Sequence, residues 1–161
     1  MDVVLLDKKE KLLKKVFLSG GMTGLTTEEA IGWRNSFKYI VYDAYENRNV
    51  LECIDPTCFY FSENETPADD VELEAMRYDI YWVKNCDALV ANMNNIKSIG
   101  TAQEIMLAYT CGKPIILIVN QDELIHLHYW IKEEASKIIT WSDDVVDALS
   151  DAADYILTHY V

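Results

Sequence analysis

A serine, a glycine and an acid stand close together in the pattern Ser-x-Gly-Thr-x-x-Glu, which begins at Ser98 and ends at Glu104. A carboxylate can act as a nucleophile, and a hydroxyl group beside backbone amides can hold an anion. The apolar residues that follow recur at helical spacing as far as Gly112, so the pattern places Glu104 in the first turn of a helix. Amides near Gly100 and Thr101 and the helix dipole favour its ionised form. On spacing alone, ordinary capping electrostatics would explain the same acid.

A second acid, Asp79, lies in the helix predicted over residues 69–84. It shares a face with Trp82 and Val83, at i+3 and i+4 spacing. Such an acid is either partly buried for a function or at the exposed edge of the apolar stripe, and the spacing alone favours the edge. Asp87, just before the next strand, is predicted to be a structural turn or cap residue.

A glycine-rich loop, Ser-Gly-Gly-Met-Thr-Gly, follows the first predicted strand and begins at Ser19. Its backbone N–H groups could approach a phosphate or a sugar. The loop is neither Gly-x-Gly-x-x-Gly nor a P-loop, because no Gly-Lys-Ser/Thr follows. A tight turn between a strand and a helix would explain the same glycines, so the loop alone leaves both interpretations open.

The histidines and cysteines carry little chemical signal. His126 and His128 alternate and could chelate a metal, but nothing nearby supplies a matching pair of ligands, so no metal and no cofactor are expected. The four cysteines form no Cys-x-x-Cys pair and are predicted to be buried free thiols. They are Cys53, Cys58, Cys86 and Cys111.

Strands and helices alternate along the chain, which predicts right-handed β-α-β units and a parallel sheet. The fold class is α/β: one doubly wound, Rossmann/flavodoxin-like domain over residues 1–161, with about five strands flanked by helices and an N-terminal extension at 1–14. Strands are predicted at 15–19, 50–54, 87–91, 114–119 and 138–140. Besides the helix that Gly112 ends, helices are predicted at 27–45, 69–84, 124–137 and 143–160, with Thr26 or Thr27 as the first N-cap and a loop at 57–67.

Ligands of such sheets bind beyond the carboxyl ends of the strands, near the point where the strand order switches. The loops at those ends are GGMTGLT, DPTCFYFS, ANMNNIKSIGT and NQDELIHLH. The second loop supplies Asp55, and the third leads into the cluster that ends at Glu104. Position alone therefore makes both loops candidates for the site.

The net charge of −13 limits the partners. Binding to nucleic-acid polymers needs clustered Lys and Arg, and none is visible, so neither these polymers nor anionic membranes are expected partners. A small anion could still bind at a helix N-terminus. The N-terminal residues mix acids and lysines with apolar residues and offer no cleavage site, and no apolar run could span a bilayer, so we expect a cytoplasmic protein.

Three stretches follow one another in the order VFLSGGMTGL, YDIYWVKNCDALVANM and SIGTAQEIMLAYTCGKPIILIV. In this order, from about Lys15 to Asn120, they resemble the nucleoside 2-deoxyribosyltransferase family; the remainder matches only in length and helical character. The resemblance implies that Glu104 attacks C1′ of a nucleoside sugar. It also implies that Asp79 positions the sugar and assists departure of the base. A covalent glycosyl-enzyme would form, with transfer if a base accepts the sugar and hydrolysis if water does.

One position departs from the transferase pattern. An aspartate that contacts the base commonly stands six residues before the nucleophile, where this chain has Ser98. Ser-x-Gly at this place looks like the branch that hydrolyses nucleoside 5′-monophosphates, in which the serine and the first glycine-rich loop, here Gly20–Thr23, hold the phosphate. Phage-type and bacterial relatives of unassigned activity also begin with Gly-Met-Thr-Gly. A nucleotide-binding module without turnover is the remaining alternative.

The family builds its pocket partly from a neighbouring subunit, so the resemblance implies a homo-oligomer that binds a small-molecule nucleoside or nucleotide. The stretch NQDELIHLHYW would reach across the interface, where His128, and beside it His126, would offer a hydrogen-bond donor to the 5′ end of the substrate. The predicted substrate-binding residues are Ser19, Gly20, Gly21, Met22, Thr23, Asp55, Ser98, Gly100, Thr101 and His128.

Overall fold

The computed structural model describes residues 14–44, 51–59 and 71–161. Its strands are β1 (Lys14–Gly20), β2 (Leu51–Ile54), β3 (Ala88–Asn92), β4 (Ile115–Asn120) and β5 (Lys137–Trp141). Its α-helices are α1 (Thr27–Tyr39), α2 (Val71–Asn85), α3 (Ile99–Thr110), α4 (Tyr129–Glu134) and α5 (Val145–His159). A π-helical turn (Ile40–Ala44) and two 3-10 turns (Pro56–Phe59 and Leu124–His126) complete the described elements.

The five strands form one sheet in the order β2-β1-β3-β4-β5, and all described strand pairs are parallel. The predicted α/β fold with a five-stranded parallel sheet is therefore confirmed. Strands β3 and β4 are almost continuously apolar because helices cover both faces of the sheet. The apolar residues of α1 and α5 pack on one face, and those of α2, α3 and α4 pack on the other.

Local signals in the sequence set the ends of the helices. Thr26 caps α1 in a capping box, in which its hydroxyl accepts the Glu29 N–H and the Glu29 carboxylate accepts the Thr26 N–H. Gly112 has a φ of +69° and ends α3 as predicted. Its N–H donates to the carbonyl of Tyr109 and the N–H of Lys113 to that of Ala108, which is a Schellman motif.

Two helices are shorter than predicted. Helix α1 ends at Tyr39, because the next residues widen into the π-helical turn that buries Ile40 and Val41. The helix predicted over 124–137 is instead a 3-10 turn followed by α4, which stops at Glu134. Beyond it, the N–H of Ser136 donates to the carbonyl of Ile115 and draws the chain into the sheet beside β4.

The structure also tests several smaller predictions. Lys14 belongs to β1 rather than to the extension. Asp87 has the predicted structural role, since its carboxylate accepts the N–H of Lys15 at 2.8 Å. All four cysteines are free, but the prediction that they are buried is confirmed only for Cys86, because Cys53 is half-buried and Cys58 and Cys111 are exposed. Residues 1–13, 45, 50, 60–67 and 69–70, to which predictions also referred, lie outside the described residues. No helix in the described ranges is long and apolar enough to cross a membrane.

Candidate active site

Ser19 and Glu104 meet at the carboxyl end of β1. Ser19 is the penultimate residue of the strand and is fully buried, and its hydroxyl donates a hydrogen bond to Oε2 of Glu104 on α3. In the strand order, β1 has β2 on one side and β3 on the other, so its carboxyl end is the switch point of the sheet. The sequence-predicted nucleophile therefore lies where ligands of such sheets bind.

The environment of Glu104 differs from the prediction in two respects. The residue lies in the second turn of α3, since the helix begins at Ile99 and has no acid in its first turn. Burial of the carboxyl group raises its pKa to about 8, against the opposing effect of the Ser19 hydrogen bond. The charge of Asp79 raises this pKa further, and the charge of Arg34 lowers it. This direction is opposite to the ionised form that the helix dipole favours, because burial raises the pKa of the carboxyl group here.

Asp79 is buried, with 8% of its surface exposed. The position at the exposed edge that its spacing favoured is therefore wrong. Helix α2 packs against α3 and β1, and this packing turns the face that carries Asp79 inward. Because the charge of Asp79 acts on the pKa of Glu104, the two carboxyl groups belong to one electrostatic site.

Sequence reasoning missed Arg34, a fully buried cation on α1. Its Nε donates to the carbonyl of Leu18 at 3.2 Å and its Nη2 to that of Gly20 at 3.1 Å, while Nη1 donates to the carbonyl of Ala30. Desolvation lowers the pKa of Arg34, and nearby acids, Asp55 foremost, raise it. The helical spacing of α1 could have indicated this burial. Arg34 follows the buried Ala30 by one helical turn and therefore lies on the buried face of the helix.

Asp55 follows β2 and is held by protein groups. Lys38 Nζ lies 2.6 Å from Oδ2, whereas Oδ1 accepts the N–H of Thr57 at 2.9 Å and lies 3.8 Å from Arg34 Nε. Burial alone would raise the pKa of Asp55, but the hydrogen bonds from Lys38 and Thr57 hold it below its usual value. Its predicted part in substrate binding stays a prediction.

The glycine-rich loop packs tightly over the end of β1. A Cβ atom at Gly20 would lie 2.9 Å from the Trp33 ring, so only glycine fits there. The N–H of Gly21 donates to Asn94 Oδ1 at 2.9 Å. Met22 is half-buried and Thr23 is exposed. Close packing against Trp33 therefore accounts for Gly20, and the role of the loop residues toward a phosphate stays a prediction.

Ser98 is the N-cap of α3. Its Oγ accepts hydrogen bonds from the N–H of Thr101 at 3.3 Å and from the Thr101 hydroxyl at 2.9 Å. With both bonds accepted, the hydroxyl proton of Ser98 is left to donate to another group. Gly100 is exposed, and a Cβ atom there would meet nothing within 4 Å. A ligand can therefore approach this helix end closely.

His128 lies on the loop after β4, at the start of α4. It is exposed, and its Nδ1 accepts the N–H of Trp130 at 3.2 Å, so that it caps this helix. His126 is also exposed. A part for either histidine in a neighbouring subunit's pocket stays a prediction. Within the ranges that the structure describes, no three His, Cys, Asp or Glu side chains are grouped to hold a metal ion.

A cavity of about 530 Å³ opens beside this site, on the side of the sheet that α1 and α5 cover. Its walls include Leu25, Trp33, Asn92, Asn120 and Trp141. None of the predicted site residues lines it. The hydrogen bond between buried Ser19 and half-buried Glu104, rather than this cavity, therefore marks the place where chemistry is expected.

Solved structures share this fold. A 2-deoxyribosyltransferase from the psychrotolerant bacterium Bacillus psychrosaccharolyticus is 16% identical, with 85% of this chain and 90% of that chain covered and a TM-score of 0.62. A conserved protein from Enterococcus faecalis is 13% identical, with 87% and 99% covered and a TM-score of 0.62. A CMP N-glycosidase from Clostridium botulinum is 20% identical, with 88% and 99% covered and a TM-score of 0.54.

No protein-family model matches the sequence, and no curated protein is similar to it. The likeness to solved structures is thus one of fold at low sequence identity. Two of those three structures are named as enzymes of nucleoside or nucleotide chemistry, the group to which the sequence motifs also point. The chain has the Rossmann-like α/β fold that a 2-deoxyribosyltransferase and a CMP N-glycosidase also adopt.

Proposed function

We propose that this protein is an enzyme that cleaves the N-glycosidic bond of a (deoxy)nucleoside or nucleotide and transfers the sugar to another base. The observation that carries the proposal is the hydrogen bond from buried Ser19 to Glu104, next to the buried Asp79, at the switch point of the sheet. Enzymes that break a glycosidic bond with retention of configuration at the sugar carbon usually use a pair of carboxyl groups. The family resemblance and the names of the structures with this fold agree with it.

The reaction has two steps. The Glu104 carboxylate attacks C1′ while the bond from C1′ to the base breaks, and the base leaves with the electron pair and takes up a proton. The sugar is then an ester of Glu104. A second base attacks C1′ through a ring nitrogen, which gives up its proton, while the ester bond breaks and the electron pair of that bond returns to the carboxylate. Asp79 positions the sugar and assists departure of the base, and the Ser19 hydroxyl orients and stabilises the Glu104 carboxylate.

Ser98 favours a second candidate, hydrolysis of a (deoxy)nucleoside 5′-monophosphate. Its oxygen already accepts two hydrogen bonds from Thr101, so its proton is available to an anion at the N-terminus of α3. A phosphate held there would anchor the substrate while water, in place of a second base, attacks the glycosyl ester. The first step on Glu104 is the same in both candidates.

The first experiment measures release of free base from mixed deoxynucleosides and deoxynucleotides, with and without an added acceptor base. We expect base release by the wild type and a loss on the order of 10³-fold or more in Glu104→Ala and Glu104→Gln, because the covalent step needs this carboxylate. Glu133→Gln, which alters an exposed acid on α4, is the matched control and should keep full activity. Chromatography of the free bases gives the result.

Activity in Glu104→Gln close to that of the wild type would refute the nucleophile assignment. Binding of nucleotides without any base release would indicate the alternative of a binding module. Transfer to the added base separates the first candidate from the hydrolase, which would produce only free base and sugar phosphate.

A further inference from the structure

The guanidinium group of Arg34 brackets Ser19 along the chain. Its Nε and Nη2 bind the carbonyls of Leu18 and Gly20, which are the residues immediately before and after Ser19. Its Nη1 binds the carbonyl of Ala30 on α1. The three hydrogen bonds tie the end of β1 to α1 at the residue whose hydroxyl reaches Glu104.

The guanidinium group is itself held in place. Asp55 Oδ1 lies 3.8 Å from Nε, and Lys38 fixes the other oxygen of that carboxylate at 2.6 Å. Cζ of Arg34 lies 4.7 Å from the centre of the Trp33 ring, so the aromatic face supports the cation. The side chain has no exposed surface. The planar fork of donors is needed for this arrangement, because a lysine would offer one nitrogen in place of three.

The charge of Arg34 also acts on the reacting group. Three described side chains influence the Glu104 carboxyl group: Ser19 from β1, Asp79 from α2 and Arg34 from α1. Ser19 contributes a hydrogen bond and Asp79 a like charge, so Arg34 is the cation of this set. It favours the carboxylate form of Glu104, which burial and Asp79 both oppose.

We propose that Arg34 is a positioning residue of this site: it fixes the backbone around Ser19, so that the serine hydroxyl holds Glu104, and it supplies a positive charge near the Glu104 carboxylate. Only the expected effect of Arg34 on the rate of base release rests on the proposed function. The electrostatic part of the inference concerns the titration of Glu104 and is measured without turnover.

The experiment compares Arg34→Met, Arg34→Lys and Ser19→Ala with the wild type. The pKa of Glu104 is followed by carbon-13 NMR of the side-chain carboxyl, assigned by the loss of its signal in Glu104→Gln. Base release is measured across pH on the same proteins. Arg77→Met is the control, because Arg77 is an exposed arginine of α2 whose described ion pair is with Glu74.

We expect Arg34→Met to raise the pKa of Glu104 by about one unit or more, since a nearby positive charge is removed. Arg34→Lys keeps a charge but not the fork, so its kcat should fall about tenfold or more while the pKa of Glu104 moves less. Ser19→Ala should raise the pKa of Glu104 and leave the three Arg34 hydrogen bonds intact. Arg77→Met should match the wild type in both measurements.

An unchanged pKa of Glu104 in folded Arg34→Met, or wild-type kcat and pH profile in Arg34→Lys, would overturn the proposal. If Arg34→Met does not fold, the proposal is tested with Arg34→Lys and Ser19→Ala. An unchanged pKa of Glu104 in Ser19→Ala would refute the claim that Arg34 acts on Glu104 through the serine hydroxyl. If the wild type releases no base, the proposed function fails, while the titration still tests the position of Arg34.

Discussion

Glu104 holds its proton more tightly than an ordinary glutamic acid, whereas the proposed reaction needs its carboxylate form. Burial and the neighbouring Asp79 raise its pKa to about 8, while Ser19 and Arg34 stabilise the charged form. A nucleophile with such a pKa is ionised in only a small part of the molecules at pH 7. We therefore expect the rate of the proposed reaction to follow the titration of this single residue.

This state predicts the pH profile. Because only the carboxylate attacks C1′, kcat/KM should rise about tenfold per pH unit on the acid side and level off above pH about 8. Initial rates of base release at low substrate concentration between pH 5.5 and about 9.5 would give this profile. A profile that is flat through pH 8, or that falls there, would contradict the assignment of Glu104 as the group that must ionise.

The raised pKa of Glu104 also makes the free energy of unfolding depend on pH. The folded protein keeps the proton of this carboxyl group up to pH about 8, whereas the unfolded chain loses it near pH 4.5, so the free energy of unfolding falls as the pH rises between these values. The fall is at most about 1.4 kcal/mol per pH unit. Glu104→Gln lacks this proton, so its stability relative to the wild type should increase from pH 5 to 8 in urea titrations. Parallel curves for the two proteins would show that Glu104 titrates normally.

At the scale of elements, the N-terminus of α3 combines a structural and a proposed functional role in Ser98. Ser98→Ala removes the cap and should cost about 1 kcal/mol of stability. Ser98→Asp keeps a capping oxygen but adds a negative charge, which repels a phosphate. If Ser98 holds a phosphate, both variants should lower the preference for a 5′-monophosphate over the matching nucleoside, about tenfold or more in Ser98→Asp.

The measurement is the ratio of kcat/KM for the two substrates, alongside urea unfolding of each variant. The unfolding data separate the lost cap from the lost ligand, because only Ser98→Ala should be destabilised. An unchanged ratio in both variants would leave Ser98 as a cap alone.

Elements with a strong local signal were predictable, and those that depend on tertiary contacts were not. Capping at Thr26, the glycine after α3 and the apolar strands follow from the sequence. The early end of α4 does not, because it depends on Ser136 pairing with Ile115 in another strand. In the site, the family resemblance pointed to Glu104 and Asp79, whereas spacing alone favoured a cap and an exposed edge. The raised pKa of Glu104 depends on burial, which spacing does not give. Arg34 was missed because a charge in a helix is usually solvated.

At the scale of the whole molecule, the loop after β4 is the place to look for a second subunit. Ile125, Tyr129 and Trp130 are exposed apolar residues around His128, and a cluster of this kind is typical of an interaction surface. With Nδ1 of His128 accepting the Trp130 N–H, its Nε2–H is left to donate. This nitrogen is the donor that the predicted contact with a neighbouring pocket would use.

Replacement of His128 tests that role. His128→Asn keeps a side chain that can cap α4, whereas His128→Ala does not. A loss of substrate affinity in both variants would therefore be due to the missing imidazole and not to the missing cap. We expect both variants to assemble as the wild type does and to show KM values about tenfold or more higher. KM is measured alongside light scattering, with the exposed His159→Ala as control. Unchanged KM in both variants, or full activity in a monomer, would exclude a contribution from a neighbour.

The contacts of the site differ widely in how far apart their two residues lie along the chain. Those of Arg34 with the carbonyls of Ala30, Gly20 and Leu18 span 4, 14 and 16 residues, and that of Lys38 with Asp55 spans 17. The bond from Ser19 to Glu104 spans 85 residues. Closing a short loop costs less chain entropy than closing a long one, so contacts within the first β-α-β unit can form early in folding. We therefore expect Glu104 to reach Ser19 after those contacts have formed, at a serine whose backbone is already fixed. Partial unfolding of α3 would then inactivate the protein while the short-range contacts of Arg34 remain.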